Sequence, residues 1–497
     1  MKIPRLPTTD PKLPSYEHPT LQELRPDLKR ALDVYSNLRG VEREYLPPEP
    51  AEPPEAYEAR LGRAGFASFF RDSLKAFVGL LSKFELSNPP ATMEQASENI
   101  DFEGSSLTAW WLEADRDLLR DGGTWLQVEM SSVGAANSGE ETAMGLRPYL
   151  VRRPRSYGVN WRTSVADGVR RLEWVVFLEL IEEPDGDFGT KLVPKFRQIG
   201  AGWQSVWRMD QDSSGKWHAI PEIEKQPILS HRKTPLSRVP VVWYAADKAG
   251  PGEGELPLRQ VVAHCIEHFQ RRSDVREKDH KLNMPVPWVR GRRLNQTPMT
   301  PAAQDAAALG MMQPAPFVIG PNTIVELEEN GEFGFAEPSA SSMKFSQEQI
   351  DAVEKLITRQ TLDFLYGDST GNKTAMQAGL ESAQTEATMK DVAERKSSTM
   401  QELMAIWVEF TGESLAPDAG LSISSTLFEK PLEAVDIDQI QKLAGGVELM
   451  SQRSAVETLQ RAGVNRVTTS VDDELQRLAD EAPEPAETPG VNDAGML

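Results

Sequence analysis

The chain has 497 residues, enough for two or three domains with a sizeable core. Hydrophobic content of 39% and charged content of 26% fit a globular protein, and the single cysteine, Cys265, excludes intrachain disulfides and points to a reducing compartment during assembly. A formal net charge of −21 argues against a protein that coats nucleic acid, because a polyanion would be repelled.

The opening Met1-Lys-Ile-Pro-Arg-Leu-Pro7 lacks the apolar stretch of a signal peptide. The longest apolar run, Trp174–Ile181, is interrupted by Glu179 and predicts a buried strand, not a membrane span. Residues 1–20 are proline-rich and predict an arm that does not pack. A helix is expected over Leu21–Leu38. Tyr45–Pro54 carries five prolines and predicts an extended linker. The next helix is expected over Glu55–Phe84, with Phe66, Phe69, Phe70, Leu74, Phe77, Val78 and Leu81 recurring at helical spacing. Another, Leu107–Arg120, ends at Asp121-Gly-Gly123 and passes into a strand, Thr124–Met130.

Residues 147–245 change character. Strands are expected at Val169–Glu182, Leu192–Ile199, Gly202–Met209, Lys216–Ile220 and Val239–Tyr244, with Asp210–Gly215 as a hairpin loop. Helix first and sheet afterwards predicts an α+β arrangement, mainly α over the whole chain. Leu258–Asn283 is again helical. A small α/β module follows, with strands expected at Val286–Arg290, Phe317–Ile319 and Thr323–Glu328. Ser346 and Gln349 form a capping box at the head of a helix running to Leu365.

Tyr366–Thr374 interrupts that helix with two glycines. A second capping box, Thr374 with Gln377, opens a helix with no proline before Gly412. It would be about 55 Å long at roughly 1.5 Å per residue. Its first half is alanine-rich, whereas Met400, Leu403, Met404, Trp407 and Phe410 share one face of the second half. A helix apolar at one end only suggests that neighbouring subunits cover the rest. Beyond it, Leu421–Phe428 reads as a strand, short helices follow, and residues 481–497 have almost no apolar mass, which predicts disorder.

Chemistry has little support in these motifs. His264-Cys-Ile-Glu-His268 matches H-x-x-E-H, in which the two histidines could chelate zinc and Glu267 could activate a bound water. No third ligand stands nearby, so the expectation is ordinary helix histidines, with a zinc peptidase as the enzyme alternative. Glu277 and His280 have the E-x-x-H spacing of carboxylate-bridged metal sites, but one pair alone does not make one. Gly367-Asp-Ser-Thr-Gly-Asn-Lys-Thr374 resembles a phosphate-binding loop until Asn372, where the pattern needs glycine. The expectation is a protein with no catalytic residues, no metal and no cofactor. One charge feature stands out: Arg271, Arg272, Arg276, Lys278, Lys281, Arg290, Arg292 and Arg293 form a basic segment in an acidic chain. It reads either as a solvated face or as a ring of positive charge facing phosphates or an acidic protein partner.

The order of these elements resembles a portal protein of a tailed bacteriophage. So do four stretches of local wording: Tyr45-Leu-Pro-Pro before Glu55-Ala-Tyr-Glu-Ala-Arg-Leu61, Asn99-Ile-Asp-Phe-Glu-Gly-Ser-Ser-Leu107, Arg147-Pro-Tyr-Leu-Val-Arg152 with Asn160-Trp-Arg162, and Thr374-Ala-Met-Gln-Ala378. The resemblance covers most of residues 40–465 and rests on the ordered set, since no single motif is catalytic. It implies a portal fold with long helices around a central channel. Residues 1–20 would be an arm, and 21–257 with the long helix 375–412 the wing. Residues 258–283 and 344–366 would be the stem helices, 284–343 the clip, 367–374 the tunnel loop and 413–480 the crown, with the tail at 481–497. Gly367, Asp368, Ser369, Thr370, Gly371, Asn372 and Lys373 would line the channel. Arg290, Arg292 and Arg293 would belong to clip docking.

The resemblance further implies a homo-oligomeric ring, most often a dodecamer, at one capsid vertex of the virion, assembled in the host cytoplasm. Double-stranded DNA would pass through it during packaging and ejection. Its partners would be the terminase motor, the major capsid protein and scaffold, and later the tail adaptor, with no membrane involved. Twelve copies would carry about −250, which suits a channel through which DNA must slide. The alternative is another virion structural or adaptor protein without a channel.

Overall fold

The computed structural model describes residues 6–130, 146–166, 168–247, 250–282, 286–292, 327–336, 340–361, 375–423 and 476. The chain opens with a helical layer. It comprises α1 (Pro19–Tyr35), α2 (Glu42–Tyr45), α3 (Pro54–Arg63), α4 (Phe69–Leu81), a short strand β1 (Phe84–Ser87), α5 (Ala91–Ala96) and α6 (Leu107–Asp121). Local chemistry sets the ends of α6. The hydroxyl of Ser106 accepts the Ala109 amide at its start, and Gly122, at φ +78°, takes the left-handed position that ends it.

The sheets then take over. β2 (Gly123–Met130) lies between β3 (Pro148–Pro154) and a later strand, β9 (Val241–Ala245), both antiparallel to it. Between them runs a five-stranded antiparallel meander in chain order: β4 (Gly158–Ala166), β5 (Val169–Asp185), β6 (Gly189–Gly200), β7 (Trp203–Gln211) and β8 (Trp217–Pro227). Asp212 closes the β7–β8 turn by accepting from the amides of Ser214 and Lys216, as the loop Asp210–Gly215 predicted.

The remaining elements are α7 (Arg259–Leu282), a hairpin of β10 (Val286–Arg292) and β11 (Leu327–Ala336), α8 (Ala340–Thr361), the long α9 (Ala375–Thr411) and β12 (Gly420–Ile423). β12 pairs antiparallel with β1, which ties the end of α9 back to the helical layer. One apolar core spans helices and sheets. Phe70 of α4, Trp111 of α6, Trp125 of β2, Phe177 of β5, Tyr244 of β9, Phe269 of α7 and Trp407 of α9 are all buried in it. The expected face of α9 is there in full: Met400, Leu403, Met404, Trp407 and Phe410 are buried.

Several expectations are corrected. The described residues form a mixed α/β architecture that is not clearly mainly α, because most of residues 148–245 goes into strands; none of the sheets among the described residues closes on itself. The helix expected over Glu55–Phe84 is two helices and a strand. The break falls at Ala64–Ser68, where Gly65 packs so closely on α7 that a Cβ there would collide with the guanidinium of Arg276. Residues 6–18 are no loose arm. Leu6 and Leu13 pack on the meander beside Val159, Val176 and Phe196, and the His18 ring stacks on Trp161 at 4.0 Å. The Tyr45–Pro54 stretch is pinned by the buried Arg60, which bonds the Pro47 carbonyl and the Glu52 carboxylate. Ser346 lies inside α8, which begins at Ala340, and the strand expected at Thr323–Glu328 runs from Leu327 to Ala336. The tunnel-loop residues 367–374, the strand expected at 317–319, the capping side chains of Thr374 and Gln377, the alanine-rich half of α9 and the tail 481–497 lie outside the described residues or their side chains.

Candidate functional site: the paired helices and their basic segment

α7 does two jobs along its length. Its first four turns are core: Val261, Val262, Cys265 and Phe269 are buried against the helical layer. Burial pushes the Cys265 thiol up to about 12, so it stays protonated and inert. The last turns carry charge. α8 runs back along α7, because His268 meets Glu354 where, further on, Lys278 meets Ser346. Ile350, Val353 and Ile357 fill the inner face of α8, whereas Phe345 and Leu356 stand exposed on it.

The β10–β11 hairpin joins the two helices. Its register runs from Val286 opposite Ala336 to Arg292 opposite Leu327, with a bulge between Arg290 and Arg292. Arg290 is exposed and lies opposite Glu332. The side chain of Arg292, and all of Arg293, lie outside the described residues.

The structure divides the basic residues of α7. Arg271 donates to Glu267 at 2.8 Å, one turn back on the same helix. Arg276 donates to the carbonyl of Arg63 at 2.8 Å and so clamps the end of α3. Arg63 in turn pairs with Glu277. Lys278 is exposed and reaches the Ser346 hydroxyl at 3.3 Å on α8. Arg272 is half-buried, and the Lys281 side chain lies outside the described residues. Arg276 and Lys278 therefore do face different neighbours, as helical spacing required. Burial pushes the Asp274 carboxyl up, helped by Glu49 and opposed by Arg60, Lys278 and Arg271.

The H-x-x-E-H motif is structural. Nε2 of the buried His268 lies 2.9 Å from Glu354, and its ring meets Phe69 edge-on. Glu267 faces both His264 and Arg271. Among the described residues no group of three or more His, Cys, Asp or Glu side chains could hold a metal ion, and no helix is long and apolar enough to cross a membrane. Glu277 is taken by Arg63, while His280 is exposed.

A buried ionic centre that no motif announces lies where α9 enters the core. Nζ of Lys396 donates to Asp115 of α6 at 2.7 Å and to the Leu81 carbonyl of α4 at 2.8 Å. It also sits over the rings of Phe84 and Trp111. The other Asp115 oxygen accepts from Tyr244 of β9 at 2.9 Å. Burial pushes the Asp115 and Tyr244 acids up and the Lys396 ammonium down. Periodicity could have found it, since Lys396 lies one turn before Met400 on the apolar face. Another buried cation, Arg155, holds the carbonyls of Asp121, Gly252 and Gly254 and is lowered to about 10 by burial.

A family model described as a domain of unknown function (DUF4055) matches residues 257–411, which is the segment from α7 through the hairpin and α8 to the end of α9. No curated protein matches the chain. Among solved structures, a chain in the neck of a native GTA particle is similar at 14% identity and a TM-score of 0.38, covering 83% of this chain and 95% of that one. A chain in the virion of a native gene transfer agent particle is similar at 12% identity and a TM-score of 0.38, with coverages of 88% and 99%. A chain in the neck of an empty GTA particle is similar at 13% identity and a TM-score of 0.39, with coverages of 80% and 90%. Superpositions this loose carry no assignment of fold or function.

Proposed function

We propose that the chain is one subunit of a portal ring at a capsid vertex, a structural component of a virion and not an enzyme. The observation that supports it best is the arrangement of residues 259–411. An antiparallel helix pair carries a small β module at its far end, and a 37-residue helix follows with its second half anchored in the core. On this reading α7 and α8 are the stem, the β10–β11 module the clip, residues 21–257 with α9 the wing, 367–374 the tunnel loop and 413–480 the crown. The ring is homo-oligomeric, with twelve subunits as the expected number. Double-stranded DNA passes through it, the terminase motor and then the tail adaptor dock on the clip at Arg290, Arg292 and Arg293, and the capsid protein surrounds it. Gly367–Lys373 and the α7 cations Arg271, Arg272, Arg276, Lys278 and Lys281 provide the contacts to DNA or capsid.

The test is the particle itself. Electron microscopy of purified protein should show rings with a central hole. A compact monomer at micromolar concentration would refute the proposal, and closed particles without a hole would favour an adaptor.

A further inference from the structure

The two ends of β5 carry opposite charge and exposed apolar side chains. At its start, the β4–β5 pair presents exposed Val165 and Val169 with Arg162, Arg170 and Arg171. Arg162 and Arg170 reach Glu173 and Glu253 only at 3.9 and 3.7 Å, and both are mostly in solvent. Ion pairs of that kind contribute little and exchange readily.

At its other end β5 projects past its neighbours. The pairing with β4 stops at Phe177–Gly158, and β6 pairs with β7 only over Lys195–Gly200. From Leu180 opposite Pro194 to Asp185 opposite Gly189 the sheet is therefore a two-stranded ribbon. Its tip places Phe188 fully in solvent among the exposed Glu182, Asp185 and Asp187. A bare two-stranded ribbon is marginal in water, and its free edges invite pairing.

We infer that the acidic, Phe188-tipped ribbon of one copy docks on the basic, valine-bearing β4–β5 end of the next. The occupant is a second copy because the complementary charges sit at opposite ends of one strand, about 50 Å apart at roughly 3.3 Å per residue. They cannot meet within one chain. A contact between two different surfaces is head-to-tail, and it closes into a ring when the rotation per subunit divides a full turn. The inference rests on the ring proposed above and names the surfaces that would form it.

The test uses the full chain with Arg170→Glu and Arg171→Glu in one variant, and Glu182→Lys and Asp187→Lys in another. All four positions are exposed, so circular dichroism and melting should match the parent protein. In sedimentation velocity each variant alone should lose assembly by about tenfold or more, since like charges then face each other across the contact. An equimolar mixture of the two should assemble again, because each altered end finds its complement on the other variant. Phe188→Ser should weaken assembly in the parent background. Parent rings that persist unchanged in both variants would overturn the inference and leave the ring standing. So would a mixture that fails to assemble although both variants are folded. A parent protein that stays monomeric would refute the ring as well.

Discussion

Replacing Lys396 by methionine keeps the aliphatic stem and removes the charge. In the parent protein the ammonium is fully buried, bonded to Asp115 and the Leu81 carbonyl, and placed over two aromatic rings. Removing one member of such a pair leaves the other buried without compensation, which costs about 3–5 kcal/mol. Asp115 would then keep only the Tyr244 hydroxyl, and burial already pushes its carboxyl up. The variant should therefore fold with Asp115 protonated, while the unfolded chain ionises it above about pH 4. Native binds one proton more than unfolded, so stability should fall by about 1.4 kcal/mol per pH unit from there up to the native pKa of Asp115. In the parent the pair holds one proton in total, whichever residue carries it, as the unfolded chain does, so this site should add no slope over the same range. Urea titrations followed by tryptophan fluorescence, at fixed protomer concentration and two pH values, measure both effects. The double variant Lys396→Met, Asp115→Asn should recover most of the loss. A loss under about 1 kcal/mol, or a difference from the parent that does not change with pH, would refute the assignment of a buried charged pair.

Gly122→Ala should cost about 1–2 kcal/mol, because φ is +78° and a Cβ would collide with the Glu255 carbonyl; unchanged urea midpoints would show that the cap relaxes. Arg155→Met should cost about 3 kcal/mol and speed amide exchange near Gly252–Glu255, since three carbonyls lose their donor; unchanged exchange there would contradict the clamp. Arg276→Glu should lower stability by about 2 kcal/mol through the lost Arg63 carbonyl bond; an unchanged melting curve would contradict the clamp.

The long helices were legible because nothing local competes with them. α7 and α9 fall within one residue of the expected bounds, since no proline and little glycine interrupt either pattern. The apolar face from Met400 to Phe410 was legible for the same reason. Other features were set by tertiary partners. The phenylalanine spacing begins only at Phe66 and so carries no helix across Gly65; the chain breaks at Ala64–Ser68, where Arg276 of α7 bonds the Arg63 carbonyl at the end of α3. β4 was legible too, since Val159, Trp161, Thr163 and Val165 alternate with Asn160, Arg162 and Ser164 as in a half-buried strand, although no strand was expected there. The Ser346 capping box was outweighed by helix formation upstream, starting at Ala340. The partner of His268 was hidden from the sequence because Glu354 lies 86 positions away, on another helix.

The same neighbours decide how much of the basic segment is available to a polyanion. Arg276 is committed to the Arg63 carbonyl, Arg271 to Glu267, and Asp274 sits in the field of Arg60, Lys278 and Arg271. Lys278 is different, since it is exposed and the contact it makes with α8 is to a neutral hydroxyl at 3.3 Å. A hydroxyl is easily exchanged for a phosphate oxygen, whereas a carboxylate partner competes with one. Of these three cations, Lys278 is therefore the one whose bonded partner a phosphate displaces most readily. The logarithm of affinity falls against the logarithm of salt by about 0.9 for each phosphate neutralised. If the segment touches DNA, Lys278→Ala should then remove about 0.9 from the slope of the salt dependence of duplex binding. Arg271→Ala and Arg276→Ala should each remove little of it. Equal losses of slope in all three variants would mean that the carboxylate and carbonyl partners release their cations to DNA, and the ordering argued from their bonds would be wrong.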